Sequence, residues 1–516
     1  MEWIVLGEKN GKIQLVSKSQ VSGILPKGSF LTIEDENKKF ILRVEGSIQE
    51  QPYSPNPMII DMDLSSLIQD RKCQNIIVAY RIKDITTRED GLIDFIRPQS
   101  LARRSTQEEI DLAIGSNKKG PRVFLATVHS NQNQLLIDEK NNFMTTQLPE
   151  DMFFYQLLVC GKTGSGKTVA LKYLSQYFVE EMGGAVLAIN VKEADLLTMD
   201  KPSNIKDITI QKEWKTLNFI PRGLRNFSIY YPASADISSK KINKKLAKPV
   251  TLNINEIDPE SFTGLLQNIT DIGAQNLPNI FSYWKEHEKK DDDKFKDFID
   301  YFNNASNDNC IFKTLNLKGD ISEVTLAKST FNNISRNLDN VSSFFDNDQA
   351  VSLSAKDILQ PSTFSVIDVV VKNGTQFGAI LLRDLLHKIV EEKNSDNNVP
   401  ILIMIDEVHT FYNSQSMSNA LGDLDTICRT GRSKKIGVVF SSQNPQDLPK
   451  GLSSVINTKI FFKTEATSAK LLGMTVNTNE VENLKAGFCV CSIHDVPQIK
   501  TIKFPLSLAG VINDGK

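Results

Sequence analysis

The segment QLLVCGKTGSGKTVALKYL, residues 156–174, decides the fold of this chain. Its apolar start predicts a buried strand at 156–160, and its end predicts a helix at Val169–Glu181. Between them, Gly161–Thr168 fits the pattern G-x-x-x-x-G-K-[ST] in the strand–loop–helix context that this motif requires. The glycines let the backbone curl so that its N–H groups converge, and the helix N-terminus adds partial positive charge. The segment therefore predicts a phosphate-binding loop in a parallel α/β sheet.

The loop supplies a full set of predicted nucleotide ligands. Lys167 is expected to reach the β- and γ-phosphates of ATP, and the Thr168 hydroxyl is expected to hold Mg²⁺. The predicted ATP-binding residues are Gly161, Lys162, Thr163, Gly164, Ser165, Gly166, Lys167 and Thr168. A chance glycine turn would lack the flanking strand and helix. ATP and Mg²⁺ are therefore the predicted ligands.

Further apolar runs extend the predicted sheet on the C-terminal side of this loop. They are 185–190, 364–371, 400–406, 436–442 and 458–463, and a helix is predicted at Gln376–Glu392. Near-continuous apolar strands that alternate with helices are typical of a parallel sheet covered on both faces. The predicted fold class is therefore α/β, with a parallel-sheet P-loop ATPase core.

The run ILIMIDEVH, residues 401–409, ends a predicted strand with Asp406 and Glu407. Two adjacent carboxylates at the carboxyl end of a core strand are costly unless they serve a cation or a proton. Asp406 is expected to bind Mg²⁺, and Glu407 is expected to polarise the attacking water. On its own, Asp-Glu after a strand is also typical of a loop start or a helix cap. The glycine loop favours the catalytic interpretation.

The stretch ICRTGRSKKIGVVFSSQ, residues 427–443, places basic residues before one core strand and Gln443 after it. Ligands of open α/β sheets gather at the carboxyl ends of strands, so Gln443 is predicted to sense the γ-phosphate or to position water. The alternative is a surface glutamine. Arg429 and Arg432 are either a basic helix end that complements the helix dipole or part of an active site.

The rest of the chain divides by its pattern. Short strands with turn residues predict a small N-terminal barrel or sandwich, assigned to residues 1–145, with one short helix at 106–115. The core is assigned to 146–254 and 346–485. Residues 255–345 predict a helical insertion without strands of its own, and 486–516 predict C-terminal strands and a tail.

Composition limits the function classes. The net charge is −2 and the isoelectric point about 6.3, so bulk charge does not favour nucleic-acid binding, and any such contact needs a local patch. The six cysteines and five histidines are scattered, which predicts a reducing, intracellular protein without a metal cage. No signal peptide is predicted, and no apolar run approaches the roughly 20 residues of a membrane span. We expect a cytoplasmic protein with no membrane partner.

The motifs resemble a known family. VCGKTGSGKT (159–168), LIMIDEVH (402–409) and GVVFSSQNPQDLP (437–449) are similar to those of the HerA/FtsK superfamily of hexameric P-loop DNA translocases, with the HerA branch closer. The N-terminal strands resemble the small barrel that HerA proteins carry ahead of the motor. Two segments depart from the family pattern: FYQ (154–156) replaces a frequent Arg-His pair, and NVKEADLL (190–197) replaces an Asp-Pro-His-Gly-Glu-like segment.

The resemblance implies a RecA-like core that assembles as a hexameric ring with DNA in its pore. It implies that a neighbour's arginine completes each ATP site; Arg432 matches the family segment, and Arg429 is the alternative. It also implies a nuclease or NAD-consuming effector on the barrel side, since divergent members act in anti-phage defence. For DNA contact the sequence offers SSKKINKKLAK (238–248), which is equally typical of a solvated loop.

Three functions follow from these observations. The first is an ATP-driven DNA translocase or helicase that works with an effector. The second is a conjugation or secretion coupling ATPase, although such proteins usually carry membrane spans. The third is a scaffold whose ATP site switches a partner enzyme. DNA-stimulated ATP hydrolysis distinguishes the first from the third.

Overall fold

The computed structural model divides the chain into two compact units, Met1–Glu150 with Val476–Phe504 and Asp151–Thr475 with Pro505–Lys516. We call them the N-terminal unit and the core unit. The structure describes residues 3–17, 25–35, 38–50, 74–85, 95–115, 119–129, 132–138, 140–192, 196–235, 242–265, 271–305, 309–371, 374–395, 397–411, 427, 431–448, 452–465, 472–474 and 478–512.

The strands within these ranges are β1 (Trp3–Lys9), β2 (Lys12–Ser17), β3 (Phe30–Asp35), β4 (Lys38–Glu50), β5 (Gln74–Asp84), β6 (Leu101–Arg104), β7 (Arg122–His129), β8 (Gln132–Leu135), β9 (Thr145–Gln147), β10 (Leu157–Cys160), β11 (Ala185–Asn190), β12 (Phe227–Pro232), β13 (Ala247–Thr251), β14 (Ile311–Leu315), β15 (Ile321–Thr325), β16 (Val351–Ser352), β17 (Thr363–Asp368), β18 (Ile401–Ile405), β19 (Ile436–Ser442), β20 (Thr458–Phe461), β21 (Phe488–Ser492) and β22 (Thr501–Lys503).

The α-helices are α1 (Gln107–Ile114), α2 (Lys167–Glu180), α3 (Ile208–Leu217), α4 (Asp271–Tyr283), α5 (Phe295–Asn304), α6 (Lys328–Val341), α7 (Ala355–Ile358), α8 (Gly374–Asn394), α9 (Leu452–Val455) and α10 (Thr478–Glu482).

The N-terminal unit contains a closed antiparallel barrel with the strand order β1-β2-β5-β4-β3-β6. Alternate residues at the start of β1 and in β2 are more deeply buried, which is the pattern of a strand with one buried face. The barrel core includes Trp3, Leu15, Leu31, Leu42 and Ala79, each buried. The predicted small N-terminal barrel is thereby confirmed.

The strands β7, β8 and β9 lie in the same unit but outside the barrel. Because β6 pairs with both β1 and β3, the barrel is already closed before β7 begins. Strand β7 instead pairs with β8, β9 and, from the C-terminal part of the chain, β22. The sequence pattern did not distinguish these strands from those of the barrel.

Helix α1 is fastened to the barrel through Glu109. Thr106 is its N-cap, and Thr106 and Glu109 form a reciprocal capping box. The Glu109 carboxylate is buried, accepts a hydrogen bond from Thr32 at 2.7 Å, and pairs with Arg103 at 2.7 Å and with Lys39 at 2.5 Å. Burial is the largest single influence on the pKa of Glu109 and acts to raise it. The hydrogen bonds that the carboxylate accepts, above all from Arg103 and Lys39, together outweigh burial and lower the pKa to about 2.

The core unit is built on a parallel sheet with the order β16-β13-β12-β17-β11-β18-β19-β10-β20. Every residue of the central strands β10, β11, β18 and β19 is buried. Strand β19 lies between β10 and β18, which is the RecA-like arrangement. The predicted α/β class with a RecA-like P-loop core is therefore confirmed.

The segment 255–345 packs around a cluster of aromatic rings. Phe262, Phe281, Phe295 and Phe298 have ring centroids 4.5–6.2 Å apart within this cluster. The segment also contains an antiparallel hairpin, β14–β15, so the expectation that it has no strands was wrong. The hairpin was missed because four of the five residues of β15 are exposed, which leaves no apolar alternation in its sequence.

Among the described residues, none of the helices combines the length and apolar character that crossing a membrane requires.

Candidate active site

The glycine loop is anchored on both strands that flank β10. The Gly161 N–H donates to the Ser442 carbonyl at 3.2 Å, and the Lys162 N–H donates to the Lys463 carbonyl at 2.8 Å. A Cβ atom at Gly161 would lie only 2.7 Å from Cβ of Phe462. Only glycine therefore lets the loop leave the sheet this close to the neighbouring chain.

The loop enters helix α2 through left-handed backbone. Gly164 has φ +77° and Gly166 has φ +107°, and both angles strongly favour glycine. Gly166 is the N-cap of α2, and its lack of a side chain leaves the first helical N–H groups without a side-chain cap. The first turn contains no acidic residue. These features fit an anion at the helix N-terminus.

Lys167 is the first residue of α2 and is 5% exposed. Its ammonium group donates to the carbonyl oxygen of Gly161. Burial lowers the pKa of Lys167, and the nearby positive charge of Lys192 lowers it further, while Glu407 and Asp406 oppose that effect. Thr168 follows on the helix and is half-buried.

Strand β18 delivers Asp406 and Glu407 to the same edge of the sheet. Both are buried, at 8% and 4% exposure. The Glu407 N–H donates to Oδ1 of Asp406 at 3.1 Å, and Glu407 has φ +47°. A non-glycine residue in the left-handed region turns the chain sharply after the strand. The two adjacent carboxylates are thereby placed in different surroundings.

The two carboxylates have opposite electrostatic settings. Burial raises the pKa of Asp406 above its ordinary value. Burial also acts to raise the pKa of Glu407, but the ammonium of Lys192 and the amide of Gln443 outweigh it, so that the pKa of Glu407 is lowered. Glu407 is thus held as a carboxylate.

Gln443 follows the last residue of β19 and is exposed. Its Nε2 donates to Oε1 of Glu407 at 3.0 Å, and its Oε1 accepts from the Thr163 hydroxyl at 3.5 Å. Gln443 therefore connects the glycine loop to Glu407. The carboxyl ends of parallel strands meet at one edge, which is why residues far apart in sequence converge here.

Arg432 lies at the other end of β19. It precedes the strand, is exposed, and places its guanidinium carbon 4.5 Å from the ring centroid of Tyr155. The structure therefore does not bring Arg432 to the site formed by its own chain. Arg429 lies outside the described residues.

Lys192 is a site residue that the sequence analysis missed. It lies two residues after β11, and its ammonium forms an ion pair with Glu407. The signal that identified Asp406, a charged residue just past a buried strand, applies equally to Lys192. Asn190, at the end of β11, donates from its Nδ2 to Oδ1 of Asp368 at 3.0 Å, and both side chains are buried.

The lysine-rich stretch 238–248 is described only in part. Lys240 and Lys241 lie outside the described residues. Lys244, Lys245 and Lys248 are exposed, and Lys248 lies 6.0 Å from the ring centroid of Tyr230. Three solvated cations are thus presented near β12 and β13.

The family model described as Helicase HerA-like C-terminal matches residues 134–471, more than half of the chain. A comparison with curated protein sequences gives no match.

Several solved structures are similar to the chain. One is VirB4 of Thermoanaerobacter pseudethanolicus, at 14% identity, with 72% of this chain and 95% of that chain covered and a TM-score of 0.45. Another is the bacterial conjugative coupling protein TrwB, at 12% identity, with 79% and 92% covered and a TM-score of 0.48. A third is the genome-packaging NTPase B204 of Sulfolobus turreted icosahedral virus 2, at 17% identity, with 30% and 72% covered and a TM-score of 0.22.

Proposed function

The chain belongs to the family described as Helicase HerA-like C-terminal, and from that premise we propose that it is an ATP-hydrolysing motor that forms a hexameric ring and moves along DNA. The observation that carries the proposal is the convergence of Glu407 and Gln443 beside the glycine loop that holds Lys167. This set contains a phosphate-binding cation, a carboxylate and a polar group that connects them.

ATP binding is supported by the shape and charge of the loop. The uncapped N-terminus of α2 and the buried Lys167 offer donors to the phosphates. Thr168 and Asp406 would hold Mg²⁺, a hard cation that prefers oxygen ligands. Mg²⁺, when bound, neutralises negative charge on the phosphate oxygens. A half-buried hydroxyl and a buried carboxylate fit that ion.

Hydrolysis follows from Glu407. The oxygen of a water molecule forms a bond to the γ-phosphorus while the bond from that phosphorus to the β–γ bridging oxygen breaks. The electron pair of the broken bond stays with ADP, and the proton of the water passes to Glu407 as general base. Gln443, which already contacts Glu407, orients the water. The products are ADP and inorganic phosphate.

Ring assembly gives Arg432 a role. It is exposed and precedes β19, whereas Gln443 follows that strand, so the two residues lie at opposite edges of the sheet. A neighbouring subunit would reach Arg432 at its edge. We assign Arg432 as the arginine that stabilises charge on the neighbour's transferred phosphoryl group, with Arg429 as the alternative. Hydrolysis would then depend on assembly.

DNA in the pore and an effector complete the proposal. The exposed Lys244, Lys245 and Lys248 support contact with phosphates in the manner of a salt-dependent patch. The N-terminal barrel is the proposed docking side for a nuclease or a NAD-consuming enzyme, in a system of anti-phage defence. The effector and the defence role are proposed from the family resemblance.

The test is ATP turnover with and without duplex DNA, together with the particle mass in native mass spectrometry. We expect a hexameric mass and severalfold stimulation of turnover by DNA, with the stimulation falling as salt rises. If DNA leaves ATP turnover unchanged and the protein assembles only with a partner, the motor proposal is overturned and a scaffold is favoured.

A further inference from the structure

Lys192 and Glu407 join two neighbouring loops of the active site. Strands β11 and β18 are paired in register, with Ile189 opposite Ile405, so both loops emerge at the same edge. The Glu407 side chain is 5% exposed and that of Lys192 is 36% exposed. The Glu407 carboxylate is therefore buried, while about a third of the Lys192 side chain is exposed to solvent.

Two donors engage the same oxygen of Glu407. The Lys192 ammonium and the Gln443 amide both donate to Oε1. A carboxylate oxygen that accepts a charge-assisted hydrogen bond and a second one is a weaker proton acceptor. In this arrangement Oε1 of Glu407 is already occupied by two donors, which leaves it little capacity to accept a hydrogen bond from a water molecule.

Lys192 is also connected to the glycine loop, because the Gln443 amide that donates to the same oxygen of Glu407 accepts a hydrogen bond from the Thr163 hydroxyl. The positive charge of Lys192 also acts on Lys167 in that loop: burial lowers the pKa of Lys167 most, Glu407 raises it, and the charge of Lys192, the third cause, lowers it. Two cations repel each other, and a multiply charged anion held by the loop attracts both and offsets that repulsion. The terminal phosphate of ATP is such an anion. In ADP that phosphate is missing.

We propose that Lys192 senses the γ-phosphate: it pairs with Glu407 when the site holds no γ-phosphate and moves to a γ-phosphate oxygen when ATP binds. This movement removes one donor from Oε1 of Glu407, so the base becomes effective only when there is a phosphate to transfer. Lys192 thereby distinguishes ATP from ADP. The inference rests on the proposed ATPase function and deepens it.

The test compares dissociation constants for Mg²⁺-ADP and for Mg²⁺ with a non-hydrolysable ATP analogue, measured by calorimetry. For Lys192→Gln we expect the preference for the triphosphate to fall by about tenfold, the scale of one charge-assisted contact. ADP affinity should change less than about threefold. Lys192→Arg should retain the preference, and Lys215→Gln, on the exposed face of α3, is the matched loss of a lysine.

A double-mutant cycle isolates the movement. Glu407→Gln removes the competing carboxylate, so analogue affinity should rise, and the rise should be larger with Lys192 present than in Lys192→Gln/Glu407→Gln. Equal rises in both backgrounds would overturn the inference, as would an unchanged preference in Lys192→Gln. An equal loss of affinity for both nucleotides in Lys192→Gln, with an unaltered melting temperature, would also overturn it. Wild-type protein that binds neither nucleotide would instead overturn the ATPase proposal itself.

Discussion

The ammonium group of Lys167 donates a hydrogen bond to the carbonyl oxygen of Gly161, the residue that opens the same loop. The contact closes the loop on itself, since Lys167 begins α2 and Gly161 follows β10. The side chain is buried, so its direction is already set before any phosphate arrives. Preorganised donors lose less free energy on binding a ligand than mobile ones.

Lys167→Ala should therefore abolish nucleotide binding. Removal of the buried cation takes away the contact to the phosphates, and we expect at least about a hundredfold loss of ATP affinity. Calorimetry with Mg²⁺-ATP measures this. Lys215→Ala, an exposed lysine in α3, serves as the control. ATP turnover at the wild-type rate in Lys167→Ala would refute the assignment of the loop.

Glu407→Gln should separate binding from hydrolysis. The amide keeps the size of the side chain but cannot accept the proton of water, so kcat should fall by about 10²–10⁴. ATP should still bind, because the glycine loop and Lys167 are unchanged. Single-turnover hydrolysis and nucleotide binding are the two measurements. An equal loss of both would indicate a structural rather than a catalytic role.

Gln443→Ala should lower kcat by roughly 10–100-fold, with a small effect on binding. The substitution removes the amide between Thr163 and Glu407 and keeps the ion pair between Glu407 and Lys192. Gln446→Ala, also exposed and just beyond β19, is the matched control. If both variants show wild-type turnover, Gln443 is a surface residue.

Arg432→Ala should lose hydrolysis by about 10³ while the ring stays intact, because its guanidinium would act on a neighbouring subunit. Mixing it with Glu407→Gln subunits should restore activity at interfaces that pair an intact glutamate with an intact arginine. Mixed rings confirmed by native mass spectrometry but inactive at every ratio would argue against a role in trans. Tyr155→Ala removes the aromatic ring that lies against the Arg432 guanidinium and tests whether this ring positions the arginine.

Glu109→Gln should destabilise the N-terminal unit in a pH-dependent way. The pKa of Glu109 is lowered to about 2 in the folded protein from an ordinary value of 4.5, so its ion pairs stabilise the fold fully above pH 4.5. At pH 7 the variant should lose roughly 2–3 kcal/mol of unfolding free energy. The deficit should shrink as pH falls from 4.5 towards 2, and thermal melts across that range measure it. A deficit independent of pH would contradict the ionic explanation.

The sequence predicted those features of the core unit that are determined by residues adjacent in the chain. The run 436–442 and the strand β19 have the same bounds, and so do the run 185–190 and β11, because an uninterrupted apolar run specifies a strand buried on both faces. The glycine loop was equally predictable, since its conformation is encoded by glycines at fixed spacing.

Relationships between distant segments were not predictable in this way. Nothing in the residues around Lys192 indicates that Glu407, 215 positions later, will accept its hydrogen bond. That pairing exists only because β11 and β18 are neighbours in the sheet. Likewise, β15 has an exposed sequence and forms a strand because β14 pairs with it. Tertiary context decided both features.

The backbone at Glu407 has a consequence for how substitutions at this position are interpreted. Its φ of +47° costs a side-chain-bearing residue about 1 kcal/mol, and glycine adopts the same angle at no such cost. Replacement of Glu407 by glycine would therefore relieve strain while removing the base. A variant that melts at a higher temperature and no longer hydrolyses ATP would show that the backbone strain at this turn lowers stability and is retained because the position must carry the catalytic carboxylate.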